Sequence, residues 1–474
     1  MLMVSSALSG FSEPAAVPEP PPAKPGGFRA GAATSNITPR LGCSINGYLN
    51  DRKATHVHDD LHARCLVLDD GRVRLAIVVC DSCMISRDTM DAAKQAIHDK
   101  SGLPVDHILI SSTHTHTAPS SMGLFQSEPD QEYLRFLAVR IADGIARAVN
   151  NLAPARIAWG SGKVPEQVFN RRWRMKPGTI PANPFGGTND LVKMNPPVGS
   201  PNLVEPAGPT DPEVSVVSVQ TADGRPLALL ANYSLHYVGT GRDNDISADY
   251  YGAFAERIQQ LLGADHTDPP FVALLSNGTS GDINNINFRW KQPAQAPYGQ
   301  IRTVANAVAV EAQRVCQSLQ YKESVPLGVR QTELKLGIRL PSSEDVVRAQ
   351  AILSKAKGPE LRTWEEVYAR ETVIMKDYPA ETAVIIQALR IGDLAIAAIP
   401  CEVFAETGLA IKQKSPFSQT FTIELANGGY GYLPTPEQHR LGGYETWRAR
   451  SSCLEVQAAP KIFDALMALF AQLK

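Results

Sequence analysis

The stretch ILISSTHTHTAPSS, residues 108–121, runs from an apolar strand pattern into His114 and His116. In an extended chain, side chains at i and i+2 point the same way, so the two imidazoles can face one site just past the strand's end. Imidazole is the commonest metal-ligating side chain. A polar loop whose imidazoles bond neighbouring threonines and serines fits the same letters, so this stretch alone leaves both readings open. His236 closes another apolar run, LLANYSLH, and alone would read as a core histidine. Glu402 follows the apolar run LAIAAIPC, and alone would read as a helix-initiating glutamate favoured by the macrodipole. Together, histidines and a carboxylate at the ends of apolar strands form a donor set suited to a catalytic zinc, which keeps one position open for water.

The elements that must position these residues alternate between strand and helix. FRAGAATSNIT, LHARCLVLDD and RVRLAIVVC read as strands, and SRDTMDAAKQAIHDKSG as a helix closed by Gly102 and Pro104. After the ILISS strand come the long amphipathic helix QEYLRFLAVRIADGIARAVNNL and the strand ARIAWGSGKV. Residues 169–212 are rich in Pro, Gly and Asn, the composition of a functional loop or lid. EVSVVSVQT and PLALLANYSLH predict a hairpin about Asp223-Gly224, followed by a helix at DYYGAFAERIQQLLG, a strand at FVALLS and a helix at GQIRTVANAVAVEAQRVCQSL. A polar helical region, 342–376, precedes the strands of ETAVIIQALRIGDLAIAAIP, the helix FAETGLAIKQK, the strand QTFTIELAN and a terminal helix. Two units match in form. In each, an apolar strand is followed by an acid (Asp81 or Glu402), a helix and a second strand. Parallel α/β units gather ligand groups at the C-terminal ends of their strands. The expectation is an α/β fold of mixed β-sheets with flanking helices and the metal site at strand C-terminal ends.

Composition bounds the function. The 46 basic and 48 acidic residues nearly cancel, so no global charge recruits nucleic acid or an anionic membrane. No apolar run is long enough for a membrane helix. Seven scattered cysteines are not a disulfide framework, and Cys80-Asp-Ser-Cys83, without a second CxxC, reads as structural. Residues 1–27, a short apolar patch and a Pro/Ala/Glu linker, read as a disordered leader or signal remnant, and 28–474 as a single hydrolase domain. A periplasmic or secreted location and a cytoplasmic one both fit that leader.

The HTHT after a strand, the His236 strand, the IPCE run and the loop NGGYGYLPTPEQHRLGGYE together resemble the neutral, non-lysosomal ceramidase family, zinc amidases that release fatty acid from N-acylsphingosine. FRAGAATSNITP and HARCLVLDDG are similar as well, so the likeness runs from about Phe28 to about Ser452. It implies Zn2+ held by His114, His236, Glu402 and Tyr432, with His116 beside the metal and Tyr444 behind the ligands. Arg171, in FNRRWRM, resembles the family's Asn-Arg position near the substrate carbonyl.

Two departures separate the chain from that family. Where the family loop reads Gly-Asp-Val-Ser-Pro-Asn, with a serine of catalytic role, this chain has GDINNI, and Asn284 stands at the serine's place. Ser280 and Thr279 lie nearby without matching the motif. The chain also ends soon after the tyrosine loop, before the immunoglobulin-like domain such ceramidases carry. The expected chemistry is therefore zinc-activated water attacking an amide or ester bond, or a glycosidic one, with His116 moving a proton and Asn284 donating a hydrogen bond. Asp249 and Asp282 are expected to orient ligands or cap helices. Arg171, Arg172, Arg174 and Lys176 around Trp173, with Arg289 and Lys291 by Trp290, predict a polar or anionic small-molecule substrate rather than a diacyl-like lipid. Ceramide itself is the alternative substrate, and a non-catalytic zinc module or an amidohydrolase barrel with both His114 and His116 on the metal are the rival readings.

Overall fold

The computed structural model describes residues 27–474, so most of the expected leader lies outside the described residues. The main elements in chain order are β1 (Arg29–Asn36), β2 (His62–Asp69), β3 (Arg74–Cys80), α1 (Arg87–Ser101), β4 (Ile108–Ser112), α2 (Gln131–Asn150) and β5 (Ala153–Lys163). There follow β6 (Glu213–Thr221), β7 (Pro226–Tyr233), α3 (Asp249–Leu261), β8 (Val272–Asn277) and α4 (Gly299–Gln317). The last part holds β9 (Leu327–Gly337), α5 (Ser343–Leu353), α6 (Trp364–Met375), β10 (Glu381–Ile391), β11 (Leu394–Ala398), α7 (Ala405–Lys414), β12 (Gln419–Ile423) and α8 (Ala458–Leu473).

These strands build two sheets, one of eight strands in the order β8-β7-β6-β5-β1-β2-β3-β4 and one of four in the order β9-β10-β11-β12. Alternation along each strand decides the layering. In β3, Leu75, Ile77 and Val79 join a core shared with Leu389, Leu394 and Phe421 of the smaller sheet, whereas Ala76, Val78 and Cys80 face the core beneath α1 and α2. Helices α3 and α4 cover the other part of the large sheet, and α8 covers the outer face of the small one. The result is helix, sheet, sheet, helix. Because both faces of β3 and β4 are covered, their sequences are continuous apolar runs rather than alternating ones. This is not an amidohydrolase barrel, whose single parallel sheet closes on itself.

Most pairings are antiparallel, but three long pairs are parallel: β3 with β4, β7 with β8, and β11 with β12. The large sheet curls so that β8 approaches β2, β3 and β4. The ends of β4, β8 and β12 are then tied together, Ser112 N donating to Leu425 O and Glu424 N to Asn277 O. All three parallel pairs therefore discharge their C-terminal loops into one place. The 11-residue β9, an edge strand, is the one long element the sequence reading did not anticipate.

Candidate metal centre

His114 lies two residues past β4, His236 three past β7 and Glu402 four past β11. Their side chains are buried and meet: His114 Nε2 is 3.0 Å from His236 Nε2 and 3.2 Å from Glu402 Oε2. One ligand atom from each of these three residues lies within 4.8 Å of the other two. The convergence has a different cause from the extended geometry expected of His-Thr-His. His114 sits at φ 71°, a left-handed conformation costly for a non-glycine residue, pinned by its own N–H donating to Ser82 O at 2.8 Å. His116 Nε2 nonetheless comes within 3.1 Å of His114 Nε2. Gly47 makes room for the His116 ring, since a β-carbon there would lie 2.4 Å from it.

Hydrogen bonding fixes the tautomers. A carbonyl can only accept, so His114 Nδ1 donates to Cys83 O at 2.7 Å and His236 Nδ1 donates to Ser280 O at 3.1 Å. The neutral rings then carry lone pairs on both Nε2 atoms, facing each other and Glu402 Oε2, a buried oxygen with no hydrogen-bond partner. Three converging electron pairs, of which only that of His236 meets a donor, the Arg171 guanidinium at 3.3 Å, are unstable unless a proton or a metal cation lies among them. The donor set therefore fits a divalent metal, with both histidines oriented through their outer nitrogens as metal-bound imidazoles are. The field divides the rings: burial lowers the proton affinity of His116 and His236, whereas at His114 the Glu402 charge outweighs burial and raises it, so a metal bound here would displace a proton that Glu402 otherwise draws to His114. In a second cluster, Cys83 with His114 and His116, the thiol lies 3.7 Å from His114 Nδ1, the nitrogen already committed to Cys83 O.

Other residues frame the cluster. Tyr432 pairs with Glu402 in a short parallel bridge, and its ring lies beneath the Arg171 guanidinium at 5.4 Å. Burial and the Glu402 charge keep its phenol protonated. Arg171 donates to His236 Nε2 at 3.3 Å, to Gly281 O at 2.9 Å and to Glu445 Oε1 at 2.9 Å. Tyr444 stands 5.7 Å from Tyr432, centroid to centroid. His116 stacks on Tyr237 at 3.7 Å.

Three placements bear on the expected roles. Asn284 reaches no member of the cluster through a hydrogen bond; its amide donates to Asn195 Oδ1 at 2.7 Å. Of the cations offered to an anionic substrate, Arg171 and Arg172 are engaged inside the protein, whereas Lys176, Arg289 and Lys291 are exposed. Arg172 is fully buried and bonded to Glu445 at 2.6 Å and to Gln438, Arg174 faces Glu205, and Arg289 covers Trp173. Asp282 and Asp249 each accept from a first-turn helix N–H, Ala405 N of α7 and Tyr250 N of α3, without being the N-cap residue. Asp282 accepts from Ala405 N and Asn170 Nδ2, joining the Arg171 strand to the Glu402 segment, and Asp249 accepts from Val238 N and Gly239 N, fixing the chain after His236.

Two acids escaped the sequence reading. Glu424 accepts from Ser280 Oγ at 2.6 Å and Val403 N at 2.7 Å, so it fastens the carbonyl that orients His236 to the chain beside Glu402. Burial pushes its carboxyl up to about 8. An acid inside the apolar strand FTIEL was the available signal. Glu445 is shared by Arg171 and Arg172, and these charges outweigh burial to hold its carboxyl below the usual range.

A cavity of about 610 Å³ opens beside Tyr444, within the range of small-molecule sites. Ile180, Val192 and Met194 give it apolar walls, Trp364, Tyr444 and Trp447 aromatic ones, and among the described residues Lys193 and Glu365 are its charged lining.

The chain is thus a four-layer, mixed-sheet α/β fold in which a His-His-Glu cluster able to hold a metal ion lies where three parallel strand pairs end. Residues 28–297 match the profile of the neutral/alkaline non-lysosomal ceramidase N-terminal region, and the chain belongs to that family. It is 22% identical over 282 residues to neutral ceramidase A of Dictyostelium discoideum, covering 54% of this chain and 36% of that protein. Neutral ceramidase B of the same organism is 23% identical over 277 residues, covering 54% and 35%. The chain thus matches about a third of the length of these curated relatives. The fold is similar to the crystal structure of neutral ceramidase from Pseudomonas aeruginosa, with TM-score 0.72 and 19% identity over 94% of this chain and 74% of that one. A ceramidase complexed with C2 gives TM-score 0.70 at 17% identity, covering 94% and 75%.

Proposed function

We propose that the chain is a zinc-dependent hydrolase that cleaves the C–N bond of an N-acyl amide, or the corresponding ester, in an amphiphilic substrate. The observation that carries this reading is the convergence of two imidazole lone pairs and the bare Glu402 Oε2 at one buried point. Zinc is the metal the set suits, because two histidines and a carboxylate make a catalytic trio, and we assign the adjustable fourth position to Tyr432, whose backbone pairs with that of Glu402. Zinc bound there would supply Lewis acidity, lowering the pKa of a water and polarising a carbonyl.

The chain's own groups supply the rest. His116, held neutral by burial, takes a proton from the attacking water at Nε2 and returns it to the leaving nitrogen as the C–N bond breaks. Arg171, locked by Glu445 and Gly281, orients the substrate carbonyl, and the Tyr444 hydroxyl donates to the oxygen that becomes negative. The scheme needs no serine and gives Asn284 no part. Relatives named as ceramidases make an amide of a long-chain base the first substrate to try. The apolar cavity and the engaged arginines support an amphiphile over the anionic or sugar-like substrate expected from the arginine-rich segment.

The test is metal analysis of the full chain joined to hydrolysis of a panel of fluorogenic N-acyl amides and esters. About one zinc per chain is expected, with hydrolysis lost on chelation and restored by zinc. Full activity after the metal is stripped would refute the reading, and a chain that holds zinc but cleaves nothing would favour the non-catalytic module.

A further inference from the structure

The cavity beside Tyr444 has a recognition feature that the metal cluster does not use. Three of its walls are aromatic rings set nearly at right angles. Trp364 meets Tyr444 at 89° and Trp447 at 88°, and Tyr444 meets Trp447 at 79°, with centroids 5.6, 5.7 and 6.1 Å apart in that order. All three rings line one cavity, so a single group inside it can touch them together, and a cation–π contact reaches about 6 Å from a ring centroid. A single alkyl chain gains nothing from right angles, and a flat sugar ring uses one face or two parallel ones. A tetrahedral ammonium presents its methyl groups in several directions and uses all three.

The occupancy of other rings points the same way. Around the site, ring faces already hold protein cations: Arg171 over Tyr432, Arg172 over Phe404, Arg289 over Trp173 and Arg448 over Phe185. Among the described residues no arginine or lysine sits over Trp364, Tyr444 or Trp447. Trp447 donates its indole N–H to Asp190 Oδ2 at 2.8 Å, and a carboxylate on that hydrogen enriches the π face. Glu365 lines the cavity and is only loosely paired, 3.7 Å from Arg348 with both side chains well exposed. Lys193 is the one lining cation that opposes a positive guest.

We propose that the Trp364–Tyr444–Trp447 corner is a binding site for an alkylated ammonium group, and that the substrate of the neighbouring centre carries such a cation on its amide or ester. The claim about substrate rests on the hydrolase reading above; the claim about binding does not. The head group selected is thus opposite in sign to the one the arginine-rich sequence suggested.

The test titrates the full chain by calorimetry with choline and with its neutral isostere 3,3-dimethylbutan-1-ol. Choline is expected to bind at least about tenfold more tightly. Trp364→Leu keeps an apolar wall at a half-exposed position and is expected to erase most of that preference, and Lys193→Met to strengthen choline binding. Equal binding of the two probes, or no saturable choline binding, would overturn the ammonium site. Saturable choline binding in a chain without metal or hydrolytic activity would leave the site standing and remove the hydrolase reading. Zinc-dependent cleavage of neutral amides without a choline preference would do the reverse.

Discussion

Two strand-helix-strand units, β3–α1–β4 and β11–α7–β12, share a plan: two parallel strands, a covering helix, and an acid just after the first strand. The fates of the two acids differ. Asp81 Oδ2 accepts from Arg64 at 2.5 Å and from His62 N at 2.9 Å, an internal charge pair in a buried setting. Glu402 Oε2 has no donor at all and faces two imidazole nitrogens whose protons point elsewhere. Asp81 Oδ1 is also bare, yet among the described residues Asp81 belongs to no cluster of three ligand groups. The contrast separates a buried acid that is a structural charge from one poised for a ligand. Topological position is the same, so the deciding quantity is whether the protein supplies the compensating cation.

Breaking each acid in turn should give opposite results. Glu402→Ala is expected to abolish tight metal binding, a loss beyond the roughly 10–100-fold typical of a supporting residue, as metal titration would read. Asp81→Asn should leave metal content intact but cost about 3–5 kcal/mol of stability in denaturant melts, because the Arg64 guanidinium remains buried and unpaired. The comparison is sharpened by the histidine pair. His114→Ala should lose the metal, whereas His116→Ala should retain it and lower kcat by about 10²–10⁴-fold, read in steady-state kinetics. Smaller is Glu424→Gln, which keeps a group able to bond Val403 N but weakens the hold on Ser280, for an expected drop in metal affinity of about tenfold. The smallest effect falls at Asn284→Ala, at most about 1 kcal/mol of stability, because water can replace Asn284 at the exposed Asn195, with metal content and turnover unchanged.

Much of this contrast was legible in the sequence. The two units, their acids, and His114, His116 and His236 past apolar strands are local patterns of period and composition, and the structure builds those elements. What escaped depends on partners far along the chain. Glu445 bonds Arg171 and Arg172 across more than 270 residues, so nothing near YETW announces that it neutralises two arginines read as substrate contacts. β9 escaped for a different reason: it is an edge strand, and its exposed Glu333 and Lys335 break the apolar run that marks the central strands. The left-handed backbone of His114 has no signature in the letters THT at all, because Ser82 O and Cys83 O impose it from a neighbouring loop.

The central claim is that the chain leaves one buried point to be filled by a zinc ion bonded to His114, His236 and Glu402. Anomalous diffraction at the zinc absorption edge from crystals of the full chain tests it most directly. The account predicts a single strong peak about 2.0–2.2 Å from His114 Nε2, His236 Nε2 and a Glu402 oxygen, with Tyr432 or a water completing the set. A peak bonded instead to Cys83 and His116, or no peak in a chain that remains catalytically active, would contradict it.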